Sequence, residues 1–115
     1  MVEEQTAFGI RERVLGGITL VEIVGELDIV AAGSARPCLD ALVRAGRHPD
    51  IVLDLRGVTF VDCAGLSVLC RVRNGVLERS GRLRLVIEDP RLRRLLRIVR
   101  LADAFEVLDD LASAA

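Results

Sequence analysis

Residues 51–55 read Ile-Val-Leu-Asp-Leu and follow Pro49-Asp50. A run this short and this continuously apolar reads as a strand buried on both faces, since a half-solvated strand would alternate apolar with polar residues. A strand of that kind sits in the middle of a sheet. The rest of the chain must therefore provide neighbours on either side and layers above and below.

The flanking sequence has the periodicities to do so. Residues 8–15 and 18–24 are two β-rich segments separated by Gly16-Gly17, a strong two-residue hairpin signal. Residues 25–28 (GELD) read as a turn. Residues 29–45 have helical spacing, with Leu39, Leu42 and Val43 on one side and Pro37 either kinking the helix or marking its true first turn. After the central strand, residues 56–62 (RGVTFVD) read as a connecting segment. Residues 64–79 follow as a helix whose stripe is Leu66, Val68, Leu69, Cys70, Val72, Val76 and Leu77. Ser67, Arg71, Asn74 and Glu78 stand opposite, and Ser80-Gly81 ends the helix. Residues 83–87 are a further strand. Glu88-Asp89-Pro90 opens a third helix with buried Leu92, Leu95, Leu96 and Val99, because proline suits the first turn and the acids suit the positive dipole end. Residues 105–108 are a short last strand, and 109–115 a terminal helix or tail. This is an α/β order, a hairpin followed by strand–helix alternation, with one sheet face better covered than the other.

Composition narrows the function. The chain has 115 residues, the length of one domain that buries roughly 65% of its unfolded surface. Its 16 arginines (there is no lysine) stand against 17 acids, a net charge of -1. A nucleic-acid binder normally carries a basic excess. The aromatic residues are Phe8, Phe60 and Phe105, too few for base-stacking platforms. The absence of lysine removes Schiff-base chemistry and the lysine of a phosphate loop. Cys38, Cys63 and Cys70 are an odd set without paired spacing. On one helix, Cys63 and Cys70 would stand about 10 Å apart, beyond the roughly 7 Å a disulfide spans. No CxxC or HExxH motif is present, so no metal or cofactor is expected. The first ten residues are acidic where a signal peptide is basic, and no apolar run reaches membrane-span length. A cytoplasmic protein without membrane association is expected.

Residues 53–66, LDLRGVTFVDCAGL, resemble the signature of the STAS family, named for sulfate transporters and anti-sigma factor antagonists. That pattern is an apolar strand ending in D-L-S, a V-x-F segment, then D-S-S-G-L or D-C-S-G-L opening a helix. Asp54, Leu55, Val58, Phe60, Asp62, Gly65 and Leu66 match it. GELD at 25–28 and EDPRLRRLLRIVRLADAFEV at 88–107 fit as well, so the resemblance covers about 8–111. It implies a single STAS-like domain over 1–115: a mixed β-sheet of about five strands with helices packed mainly on one face. The stand-alone length resembles a bacterial anti-sigma factor antagonist. Such a protein binds an anti-sigma factor, often a serine-protein kinase, and frees a sigma factor in a partner-switching stress response. It is not an enzyme, and it is expected as a monomer or weak homodimer.

The resemblance places the docking surface at Asp28, Asp62, Cys63, Ala64, Gly65, Leu66, Ser67 and Arg71. Several of these residues also have plain structural uses. Asp62 can cap the free N–H groups of the following helix, and Asp28 those of the first. Gly65 allows either close helix–strand packing or the approach of a partner's backbone. Cys63 at a helix start could be reactive, but a nucleophile needs a base, and His48, the single histidine, precedes the opposite end of the central strand. Asp54 reads as a strand-end carboxylate satisfied by backbone donors. Arg91, Arg93, Arg94, Arg97 and Arg100 read as a solvated basic face, with anionic lipid or an acidic partner as the sharper alternative.

The family's phosphorylated serine immediately precedes the Gly-Leu pair, and here that position is Ala64. Phosphorylation adds about -1.5 to -2 charge. The helix dipole tolerates that charge, but a partner surface matched to a neutral residue does not. Ala64 keeps the position neutral, which implies a constitutively binding form or regulation by other means. Ser67 is the fallback acceptor, and a pathway phosphatase would find no substrate at Ala64. Two other readings stand beside this one. The first is a scaffold or sensory module in a stress-signalling complex. The second is a small-ligand or lipid-binding domain, which needs an apolar cavity with convergent polar groups.

Overall fold

A computed structural model describes residues 8–114. Strands β1 (Gly9–Leu15) and β2 (Ile18–Leu27) form the expected antiparallel hairpin, with Leu15 opposite Ile18. Gly16 and Gly17 both hold positive φ, 56° and 90°, which the two-residue turn requires and a side chain would resist. Helix α1 (Ile29–Arg44), strand β3 (Asp50–Val61), helix α2 (Cys63–Glu78), strand β4 (Arg82–Val86), helix α3 (Pro90–Ile98) and strand β5 (Glu106–Leu108) follow. The strands form one mixed sheet in the order β1-β2-β3-β4-β5. β1 is antiparallel to β2, and the other pairs are parallel. Each parallel connection contains one helix, so all three helices begin at the ends where β2, β3 and β4 finish.

Alternation along the strands separates two apolar layers. Ile51, Leu53 and Leu55 of β3, with Val21, Ile23, Leu83 and Leu85, meet the helices. These present Ala32, Ala35, Leu39 and Val43 of α1, Leu66, Leu69, Val72 and Val76 of α2, and Leu92 and Leu96 of α3. On the opposite face, Leu20, Val52 and Val86 pack with Ile18, Leu108, Leu111 and Ala114. The central strand is thus covered on both sides, by helices on one and by the C-terminal segment on the other.

The structure corrects several expectations. Residues 56–61, expected as part of a connection, continue β3 to Val61. Their pairing with β2 reaches Leu27↔Val61 by shifting register between Glu22 and Val24 and between Gly25 and Glu26. β2 likewise runs through Gly25, Glu26 and Leu27, leaving only Asp28 as the turn residue. Leu77 is 51% exposed and does not belong to the buried stripe of α2, and Val99 lies outside α3 on the surface. Pro37 neither starts α1 nor ends it. The helix runs through Pro37 on its exposed side, where the carbonyl of Gly33, deprived of its partner, can be hydrated. The terminal segment is a single 3₁₀ turn (Ala112–Ala114) whose last residue is buried against the sheet.

Candidate functional site

The parallel topology brings the starts of α1 and α2 side by side where β2 and β3 end. Each helix is preceded by an aspartate with extended backbone. Asp28 Oδ1 accepts from the amide of Ala31 at 2.9 Å, and Asp62 Oδ1 accepts from that of Gly65 at 3.0 Å, so both are N-caps. Asp62 does more. Its Oδ2 accepts from the backbone N–H of Ile29, at 3.2 Å, so one carboxylate serves the free donors of both helices.

Gly65 sets how close the two can come. A Cβ added there would stand 2.2 Å from the carbonyl oxygen of Leu27 and 3.0 Å from a Leu27 side-chain carbon. Of the two uses open to this glycine in the sequence, close helix–strand packing is the one observed. Gly65 and Leu66 are buried beneath the tip, and Leu66 also lines a groove along α2.

Asp28, Asp62 and Ala64 are half-buried, and Cys63, Ser67 and Arg71 are exposed, so the structure does bring these predicted residues onto one end and one outer helix face. Ser67 donates its hydroxyl to the carbonyl of Cys63, one turn back, at 3.0 Å. Arg71 clasps Asp40 of α1 through both nitrogens of its fork, at 3.0 to 3.2 Å. The Arg71 hydrogen bonds, opposed by partial burial, hold the Asp40 carboxyl below the usual carboxylate range. Cys63, Ser67 and Arg71 line a groove of about 820 Å³ that runs along α2, with Asp40 and Arg44 on one bank and Val99 and Leu101 on the other.

Three residues that sequence reasoning left out of the site stand at the same end. Ile29 and Val30, in the first turn of α1, are 74% and 77% exposed, and Phe60, near the end of β3, is 50% exposed. The signal was available. Two apolar residues directly after a capping aspartate have no place in the Ala32, Ala35, Leu39, Val43 stripe, so solvent or a partner must meet them.

His48 bonds through Nδ1 with the carbonyl of Arg79 at the start of β3, and Cys63 follows its far end. Twelve strand residues at ~3.3 Å each separate them by roughly 40 Å. Among the described residues, no three His, Cys, Asp or Glu side chains are grouped to hold a metal. Asp54, expected to be satisfied by backbone donors, accepts one backbone N–H, from Arg56, and two further bonds from the Arg56 guanidinium. No described helix is long and apolar enough to cross a membrane.

Residues 10–114 match the STAS domain family. An anti-sigma F factor antagonist of Paenibacillus polymyxa is 26% identical over 98 residues, 85% of this chain and 84% of that protein. The crystal structure of an anti-sigma factor antagonist from Mycobacterium paratuberculosis superposes with a TM-score of 0.83 at 25% identity, covering 94% of this chain and 91% of that one. The Bacillus cell fate determinant SpoIIAA, in its phosphorylated form, shares the fold, with a TM-score of 0.70 at 18% identity and coverages of 94% and 96%.

Proposed function

This chain belongs to the STAS domain family, and on that footing we propose that it is an anti-sigma factor antagonist, binding an anti-sigma factor of the serine-kinase type and thereby releasing a sigma factor in the cytoplasm. The tip shared by α1 and α2 is the docking surface in this reading, with Ile29, Val30, Phe60, Cys63 and Ala64 as its apolar part. Asp28 and Asp62 hold the two helix starts in place, and Ser67 and Arg71 extend the contact along the groove.

The observation that carries the proposal is Ala64, an uncharged residue in the first turn of α2 immediately before Gly65-Leu66. Alanine offers no hydroxyl to a kinase, so no phosphate can form at this position to repel a partner. The antagonist then stays binding-competent, and release of the complex must come from the partner or from another residue, of which Ser67 is the nearest exposed hydroxyl.

The test is association of the purified chain with an anti-sigma factor kinase from the same cell, with and without ATP. A stable complex that ATP does not dissolve, with no phosphate on residues 62–67, is expected. A folded Ala64→Glu variant should bind at least about a hundredfold more weakly, because a buried unpaired charge costs several kcal/mol. Equal binding by that variant, or phosphate on Ser67, would remove the reading of a permanently active tip. Failure of the parent chain to bind any anti-sigma factor would remove the function itself.

A further inference from the structure

On the sheet face away from the helices, the described residues provide a thin cover. Residues 109–114 cross that face as a strap tied to the fold at two points and turned by one internal cap. Asp109 pairs with Arg93 where the strap begins. Asp110 accepts from the amide and hydroxyl of Ser113. The carbonyl of Ala114 accepts from Nη1 of Arg84 at 2.8 Å. Of its apolar residues, Leu111 and Ala114 reach the layer of Leu20, Val52 and Val86, and they do not fill it. A cavity of about 220 Å³ remains, lined by Leu15, Ile18, Leu20 and Val52 on the sheet and Leu111 and Ala114 on the strap, with Arg13 at its edge.

Two polar features accompany the space. Arg84, 4% exposed and paired with Asp50, keeps an Nε–H with no acceptor, the one such buried side-chain atom among the described residues. Buried donors are nearly always satisfied, so the strap leaves the polar part of this face as incomplete as the apolar part. At the edge, Arg11 and Arg13 are two apart on β1 and so share a face. Among the described residues of β2, the carboxylate opposite them is Glu22, the register partner of Arg11 and the ion-pair partner of Arg13 at 3.2 Å. Two guanidiniums thus share one carboxylate of β2 beside an apolar hole.

We propose that this cavity binds the alkyl chain of a medium-length carboxylic acid, with the carboxylate on Arg13. An apolar cavity of about 150 Å³ stays dry and takes benzene. A volume of about 220 Å³ therefore suits a chain of roughly six to eight carbons. The carboxylate joins Glu22 beside the Arg11–Arg13 pair and accepts hydrogen bonds from the Arg13 guanidinium fork. This site lies on a different face from the helix tips and does not depend on the proposed antagonist role.

The test is an amide NMR titration of the whole chain with sodium octanoate, octan-1-ol and, below its micelle concentration, dihexanoylphosphatidylcholine. The last carries acyl chains without a free carboxylate. Saturable shifts at Ile18, Leu20, Val52, Leu111 and Ala114 are expected with octanoate. Binding of the alcohol and of the ester lipid should be weaker by about fivefold, the worth of one exposed charge pair near 1 kcal/mol. Arg13→Gln should bring octanoate down to the level of the alcohol, and Leu15→Trp, at the half-exposed rim, should block all three. Absence of saturable shifts at these five residues overturns the site. Equal affinity for octanoate and octanol, or no effect of Arg13→Gln, overturns the carboxylate assignment.

Discussion

The carboxylate of Asp62 accepts from Gly65 in its own helix and from Ile29 in the other, 33 residues earlier in the chain, at 3.0 and 3.2 Å. One side chain thus caps α2 and ties its start to that of α1. The relative position of the two tips depends on a group that sequence analysis assigns to a single helix.

Removing that carboxylate should cost more than an ordinary cap. A cap aspartate changed to alanine loses about 1 kcal/mol, and the second hydrogen bond adds about 1 more. Asp62→Ala is therefore expected to lower unfolding stability in urea by about 2 kcal/mol. Asp62→Asn keeps one acceptor oxygen, so it should retain the cap on Gly65 and lose the bond from Ile29, about half of that loss. If the two variants are equally unstable, the cap bond to Gly65 that asparagine retains contributes nothing without the charge.

Gly65→Ala should be destabilising although alanine is the better helix former by about 1 kcal/mol. The new methyl would sit 2.2 Å from the carbonyl oxygen of Leu27, and that oxygen belongs to a buried strand end that cannot turn aside. The helix start must retreat from β2, at a cost of about 1–3 kcal/mol, typical of overpacking. Thermal unfolding of the variant measures this. An unchanged or raised midpoint would show that the approach of α2 to β2 is not held tightly.

How much of this was legible in the sequence depended on how local the signal was. The hairpin, the central strand and the cap at Asp62 rest on neighbouring residues and appear where they were expected, and the mixed sheet with helices on one face follows from their order. The continuation of β3 through Arg56 and Gly57 did not show, because its strand character comes from pairing with β2 across two register shifts. Nor did the bond from Ile29 to Asp62, since nothing in either segment announces the other. The clasp of Arg71 on Asp40 was hidden for the same reason: α1 and α2 meet only in three dimensions. At the C-terminus a few small residues carry no periodicity, and their burial follows from an uncovered sheet face that they happen to reach.

Leu69 and Leu77 separate the apolar periodicity of α2 from its actual burial. Both fit the same stripe in the sequence, yet Leu69 is fully buried and Leu77 is half in solvent. Leu69→Ala should lose about 2–5 kcal/mol through lost burial and a residual cavity. Leu77→Ala should stay within about 0.5 kcal/mol of the parent. Equal losses in chemical denaturation would mean that Leu77 packs in solution against something the isolated fold does not contain, such as a second copy.

Acid should weaken this fold in a defined window. Burial pushes the Asp54 carboxyl up, but the hydrogen bonds from the side chain and backbone N–H of Arg56, with its positive charge, outweigh burial and bring it below its ordinary value of 3.8. Asp40, Asp89, Glu106 and Asp110 are lowered as well, chiefly by hydrogen bonds from Arg71, Arg91, Arg82 and Ser113. For each, the folded state holds its proton less tightly than the unfolded chain does. Its contribution is complete above the unfolded value and is lost as pH falls through the lower, folded one. From these groups, stability is expected to be level between about pH 5 and 7 and to fall below about pH 4. Asp54→Asn removes one titrating group but leaves Arg56 beside Glu88, at 3.7 Å. Its urea midpoint should start lower than the parent's at pH 6 and then decline less steeply between about pH 4 and 2, since up to one fewer proton is taken up on unfolding. A decline parallel to the parent's would place the acid sensitivity in the four surface carboxylates and show that the Arg56 clasp contributes none of it.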